Sequence, residues 1–200
     1  MENAEFWSDF RARSDELAGL MDADSVNEAF EAIDNMLSTH NLPFCFDITM
    51  GEECPLLIFS PEGDRREAMK IDELLRNAPH CGSWRFFGRR QKKHLDDAAA
   101  IVQELYYRDP RLMTYGLRKS GSGWLLTMQV PSASDMASEV AQGMVNTFLW
   151  HAVGEGAVMD NGIIGRVVLS DTASSENTLN AEGAVARMDE IERQRIAGGA

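Results

Sequence analysis

LLIFSPEGDRREAMKIDELLRNAPHCGSWRFFGRR, residues 56–90, decides the fold. Leu56–Ser60 is a short apolar run that reads as a strand. Pro61-Glu62-Gly63-Asp64 is turn chemistry, and Asp64 is placed to cap a helix over Arg65–Asn77. Met69, Leu74 and Leu75 are assigned to its inward face, with Ile71 beside them. Ala78-Pro79 stops the helix, because the residue before proline resists helical geometry. Ser83–Arg89 then returns as a strand with Trp84, Phe86 and Gly88 on one side. The segment therefore reads strand, turn, helix, strand, and it holds no phosphate loop, nucleophile elbow, metal quartet or dinucleotide fingerprint.

Upstream, Pro43–Met50 (PFCFDITM) alternates as a strand, with Phe44, Phe46 and Ile48 on one face and Cys45, Asp47 and Thr49 on the other. Before it, residues 4–20 and 25–39 read as two helices. Phe6, Phe10, Leu17 and Leu20 share a face of the first, which Trp7 extends, and Val26, Phe30, Ile33 and Leu37 form a stripe on the second. Downstream, Leu95–Tyr106 has helical spacing, and Leu112–Lys119 with Trp124–Val130 forms a hairpin around Ser120-Gly121-Ser122-Gly123. Ser134 or Asp135 caps a long helix to about Val153, striped by Val140, Met144, Phe148 and Leu149. Ile163–Ser170 is the last strand.

Two blocks, 44–90 and 112–170, thus share the order strand, strand, helix, strand. Each would leave sheet faces bare unless packed, so the expected fold is α+β. Specifically, the sequence predicts one mainly antiparallel sheet built from both blocks, with helices on one face and two N-terminal helices. Residues 1–170 are expected to form a single domain (a helical segment 1–40 and the two blocks), with 171–200 a flexible or loosely docked tail containing a helix at 184–196.

Composition narrows the class. A hydrophobic content of 44% in 200 residues supports a real core. Against 32 Asp and Glu stand 19 Lys and Arg, a formal net charge of −13. Such a surface repels phosphate backbones and favours encounter with a basic protein. In residues 1–40 the only Lys or Arg are Arg11 and Arg13, so the first two helices carry the most acidic face. Cys45, Cys54 and Cys81 are an odd number without C-x-x-C spacing, which argues for a reducing compartment over a secreted disulfide framework. The acidic N-terminus lacks a signal-peptide apolar core, and no uncharged run is long or apolar enough to span a bilayer. The expectation is a soluble cytoplasmic protein.

The run L-x-I-F-S-x-E-G, then a helix, then A-P-x-x-G-S-W-x-F-x-x-R, with Gly154-Glu155 ending a late helix, resembles a group of uncharacterised bacterial cytosolic α+β domains. The matching positions are Gly63, Ala78, Pro79, Gly82, Trp84, Phe86, Gly154 and Glu155, and the likeness covers residues 44–170. It implies a fold but no catalytic residues. The domain is also loosely similar, in fold and charge, to small immunity-type proteins that neutralise a partner toxin.

Four clusters are candidates for chemistry. His80 beside Cys81 offers a thiol next to a base, but adjacent side chains diverge and no second short-spaced ligand pair exists. His151 and Glu155 can share a helix face as an acid–base pair, yet they lack a nucleophile, metal or oxyanion donor. Arg85, Arg89, Arg90, Lys92, Lys93 and His94, interleaved with Trp84, Phe86 and Phe87, have the composition of a single-strand nucleic-acid platform. The net charge opposes that reading. The acidic helices, with Trp7 as an aromatic anchor, have the composition of a protein-docking face.

The function expected is therefore non-enzymatic protein binding, with an immunity-type neutraliser of a basic toxin or effector as its most concrete form. The docking residues would be Trp7, Asp9, Asp15, Glu16, Glu28 and Glu31, joined by Asp22. The alternative is a small-molecule-binding domain or enzyme whose pocket, between sheet and helices, uses His80, Arg85, His151 and Glu155. No cofactor and no metal are expected. The partner is expected to be a protein, a basic one in the most concrete form of the reading, with homodimerisation through an exposed strand edge a further expectation.

Overall fold

The computed structural model describes residues 2–21, 25–80, 82–131, 136–170 and 179–198. Asp22, Asp24, Cys81, Ser134 and Asp135 lie outside the described residues, as does 171–178. The chain divides into two compact units, Met1–Arg90 and Gln91–Ala200.

The first unit runs α1 (Glu2–Gly19), α2 (Val26–Thr39), β1 (Cys45–Met50), β2 (Pro55–Ser60), α3 (Arg65–Arg76) and β3 (Arg85–Phe87). β1 and β2 form an antiparallel hairpin with Phe46 opposite Phe59 and Ile48 opposite Leu57. β3 adds to the other side of β2, parallel to it, with Phe86 beside Leu57. The side chains of one sheet face, Phe46, Leu57 and Phe59, are buried with Ile71 and Leu74 of α3 and with Phe6, Phe10, Leu17, Ile33 and Leu37 of the two N-terminal helices. The helices thus cover one face of the sheet, as the apolar stripes require.

Local chemistry explains the crossover helix. The Asp64 carboxylate accepts from the backbone N–H groups of Arg66 at 2.6 Å and Glu67 at 3.3 Å, occupying donors that the first turn cannot satisfy itself. Those bonds hold its carboxyl below the usual range. The buried stripe of α3 is Ala68, Ile71 and Leu74. Met69, assigned inward from the sequence, is instead exposed. With Ile71 and Leu74 fixed inward, a residue two before Ile71 falls about 200° around the helix from it.

The second unit runs α4 (Leu95–Tyr106), a 3₁₀ turn (Pro110–Leu112), β4 (Thr114–Ser120), β5 (Gly123–Val130), α5 (Ser138–Leu149), a π-helical turn (Trp150–Gly154), α6 (Glu155–Asp160), β6 (Ile163–Leu169) and α7 (Ala181–Gly198). β4 and β5 are antiparallel, and β6 lies parallel to β5 over its full length. Tyr115, Leu126 and Met128 of this sheet are buried with Val102 of α4, Phe148 of α5 and Met188 of α7.

The α+β class and the strand, strand, helix, strand order of both blocks are present. The joining of the blocks into one mainly antiparallel sheet is corrected: among the described residues there are two three-stranded sheets, ordered β1-β2-β3 and β4-β5-β6, and each is mixed. The cause is the helical connection in each block. A helix running back along the sheet returns the chain to the end from which the second strand set out, so the third strand runs parallel to the second.

In the second unit the long helix gives way after Leu149 to the π-helical turn, and Gly154, with φ 96° and ψ 131°, breaks the helix before α6 begins at Glu155. That backbone region is open essentially to glycine alone. Further on, α7 is seated rather than trailing: Ala181, Ala184, Met188 and Ile191 are buried, and the Lys92 ammonium donates to both carboxylate oxygens of Asp189, at 2.6 and 2.5 Å. The Asn161 amide donates to Glu192 at 2.5 Å.

Candidate functional site

The acidic helices α1 and α2 enclose a groove of about 460 Å³. Asp9 and Arg13, one turn apart on α1, form one wall; Glu28, Glu31 and Asn35 form the other on α2; His40 closes the end. The walls follow from helical spacing. On α1, Phe6, Phe10 and Leu17 turn inward, which leaves Asp9, Arg13 and Glu16 on the solvent side. On α2, burial of Ala29, Ile33, Met36 and Leu37 does the same for Glu28 and Glu31.

The charges inside the groove are not balanced. Arg13 turns to Glu16, making two bonds at 2.8 and 3.1 Å, which hold the Glu16 carboxyl below its usual range and raise the guanidinium. His40 Nε2 lies 2.8 Å from Asp9 Oδ2, and its ring packs edge-on against Phe6. Glu28 and Glu31 are exposed.

The sequence-expected docking residues divide accordingly. Asp9, Glu28 and Glu31 line one groove, and Glu16 sits at its margin through Arg13. Asp15 is directed elsewhere: it accepts a 2.5 Å bond from the Ser83 hydroxyl near the start of β3. Trp7 is corrected outright. It is 4% exposed, packed edge-on against Phe6 and Phe86, and its indole nitrogen donates to the Leu74 carbonyl. A side chain so placed belongs to the core and offers nothing to a partner. Arg13, Asn35 and His40 were missed by the sequence reading; only their spacing relative to Asp9 and Glu31 connects them to the site.

The alternative pocket residues belong to two different units. His80 and Arg85 line a second groove of about 380 Å³ in the first unit, with Leu75, Pro79, Trp84 and Phe87. His151 and Glu155 lie in the second unit at the junction of the π-helical turn and α6; both are buried and both are engaged by partners. The His151 carbonyl accepts from the Lys93 N–H at 2.7 Å. Both side chains lie within the core of the second unit.

The basic cluster is largely neutralised from within. Arg85 pairs with Glu53, Arg89 with Asp72 at 3.2 Å, and Lys92 with Asp189. Arg90 bonds both Asp47 at 2.7 Å and the Ser60 hydroxyl at 2.5 Å. Cations committed to carboxylates release few counterions on meeting a phosphate backbone, so the stacking-platform reading loses its electrostatic term. Among the described residues no group of His, Cys, Asp and Glu is arranged to hold a metal ion, and no helix is long and apolar enough to cross a membrane. No protein-family model matches the chain, and neither a curated protein nor a solved structure matches it.

Proposed function

We propose that this protein is a non-enzymatic, cytosolic interaction protein whose α1–α2 groove receives a cationic segment of a basic protein partner. The observation that carries the reading is the groove itself: Asp9, Glu28 and Glu31 converge on it, while its one arginine is turned to Glu16. A Lys or Arg side chain entering it meets carboxylates from two helices at once, and an arginine fork can engage them with paired hydrogen bonds. The fixed packing of both helices on the sheet keeps the walls in place, so little ordering entropy is lost on binding. Neutralisation of a basic toxin or effector, by covering its cationic surface, is the concrete form of this activity.

A tagged pull-down at low salt from the cells that make the protein, repeated at high salt and with a Glu28→Lys/Glu31→Lys variant, tests it. One basic protein recovered in stoichiometric amount, released by salt and absent with the variant, is the expected result. Equal recovery by wild type and variant defeats the groove as the docking site.

A further inference from the structure

The second groove of the first unit lies between the end of α3 and the free edge of β3. In the order β1-β2-β3, β3 bonds β2 on one side only. Among the described residues no backbone hydrogen bond reaches Arg85, Phe86 or Phe87 from the other side. Unpaired strand edges are templates for another extended chain. The adjoining groove, about 380 Å³, has an apolar floor of Leu75, Pro79, Trp84 and Phe87, and among the described residues its ionisable lining groups are His80 and Arg85. A groove lined by no carboxylate among the described residues stands out in a chain of net charge −13. Arg85 does meet Glu53, but both side chains are more than half exposed. An ion pair of that kind is weak and readily exchanged for another carboxylate.

We infer that this groove is a second docking site, which takes an extended peptide segment of alternating apolar and acidic residues as a fourth strand on β3. The peptide backbone pairs with the β3 edge. Its apolar side chains enter between Leu75 and Phe87, and a carboxylate displaces Glu53 from Arg85, with His80 also lining the groove. Main-chain bonds supply affinity and the side-chain pockets supply selectivity, as in other cases of strand addition beside a helix. The edge of β4, by contrast, is already bridged at Tyr115 by Leu179, with bonds of 2.8 and 3.1 Å. This site is independent of the α1–α2 groove and stands or falls separately.

The test is titration of the ¹⁵N-labelled full-length chain with an acetylated, amidated peptide of alternating Val and Glu. Two companion peptides are N-methylated at alternate residues, one in each phase, and a third carries Lys for Glu. Saturable shifts confined to the amides of Leu75, Ala78, His80 and Arg85–Phe87 are expected, abolished by one phase of N-methylation and by Lys. Arg85→Glu, a change at an exposed position, is expected to reverse the preference toward the Lys peptide. Absence of saturable shifts, shifts located elsewhere, or shifts indifferent to both N-methylated peptides or to Arg85→Glu would each overturn the inference.

Discussion

The Trp7 indole nitrogen donates to the Leu74 carbonyl at 2.8 Å, tying α1 to the last turn of α3. A helix C-terminus is short of donors for its final carbonyls, and the Asn77 N–H, at 3.2 Å, also serves that oxygen. The bond and the aromatic cluster of Phe6, Trp7, Phe10 and Phe86 set where α1 lies, and hence where Asp9 stands. Trp7→Ala is expected to lower stability by about 3–5 kcal/mol through lost packing. Trp7→Phe forfeits chiefly the hydrogen bond, about 1 kcal/mol. Urea denaturation followed by far-UV circular dichroism measures both, and near-native stability of Trp7→Ala would show that α1 is not anchored there.

Glu28 and Glu31 are exposed and carry no packing, so their reversal to Lys acts on association and leaves the fold nearly intact. Glu28 lies in the first turn of α2, where a negative charge complements the helix dipole; its reversal costs about 0.3–1 kcal/mol of stability. Association with the basic partner is expected to slow by tenfold or more at low salt, the difference shrinking as salt screens the groove. Stopped-flow or surface-based kinetics across a salt series checks this. A loss of affinity that is independent of salt would point to a contact other than charge.

Much of the fold was legible in short-range chemistry. Asp64, Pro79 and Gly121 mark their turns in the sequence as they do in the structure, and the helix at Leu95–Tyr106 is observed with those bounds. The strand direction of β3 and β6 was not legible, because alternation of apolar residues is the same for parallel and antiparallel neighbours. Trp7 was ambiguous for a related reason. On α1 it adjoins the Phe6–Phe10 stripe, and whether that margin faces water or Phe86 depends on a strand far away in sequence. The groove was half legible. The acids of α1 and α2 are evident as a charge bias, but that Asp9 meets Glu28 and Glu31 while Asp15 turns to Ser83 is set by how the two helices cross.

Tyr115 gives the second unit a defined response to alkali. Its ring stacks on Phe148 with centroids 5.3 Å apart, and its hydroxyl donates to the Pro110 carbonyl at 2.7 Å. Burial pushes its ionisation well above the ordinary phenol value, and the negative charge of Asp109 adds to this. The folded state therefore holds the proton more tightly than the unfolded chain. The resulting stability is fully present below pH ~10, where the unfolded phenol titrates, and is lost as pH rises toward the folded value, by up to about 1.4 kcal/mol per pH unit. Tyr115→Phe is expected to be less stable than wild type at neutral pH by about 0.5–1.5 kcal/mol, because the Pro110 carbonyl loses the shorter of its two hydrogen bonds and keeps that from the Met113 N–H at 3.2 Å. The gap should then narrow above pH ~10. Parallel denaturation curves over pH 8–11 decide it, and a constant difference would show that the Tyr115 phenol is not shielded.

At Gly165 β6 passes close beneath α5. A Cβ built there would lie 2.9 Å from Leu149 Cδ1 and 3.0 Å from both methyl carbons of Val145, tighter than side chains tolerate. The Gln142 amide, one turn before Asn146 on the same helix, donates to the Gly165 carbonyl at 2.9 Å and holds helix and strand at that separation. Gly165→Ala is therefore expected to cost about 1–3 kcal/mol by overpacking, although alanine is the better strand former. Val145→Ala alone removes two buried methyl groups and is destabilising in its own right. In the double variant the new methyl of residue 165 occupies part of the space vacated by Val145. The two losses should then add to less than their sum, with a coupling of about 0.5–3 kcal/mol as for other residues in direct contact. Urea denaturation of the four proteins in that cycle measures the coupling. Strict additivity would mean that α5 shifts away from β6 as a rigid body, and that the close approach at Gly165 is not what sets their spacing.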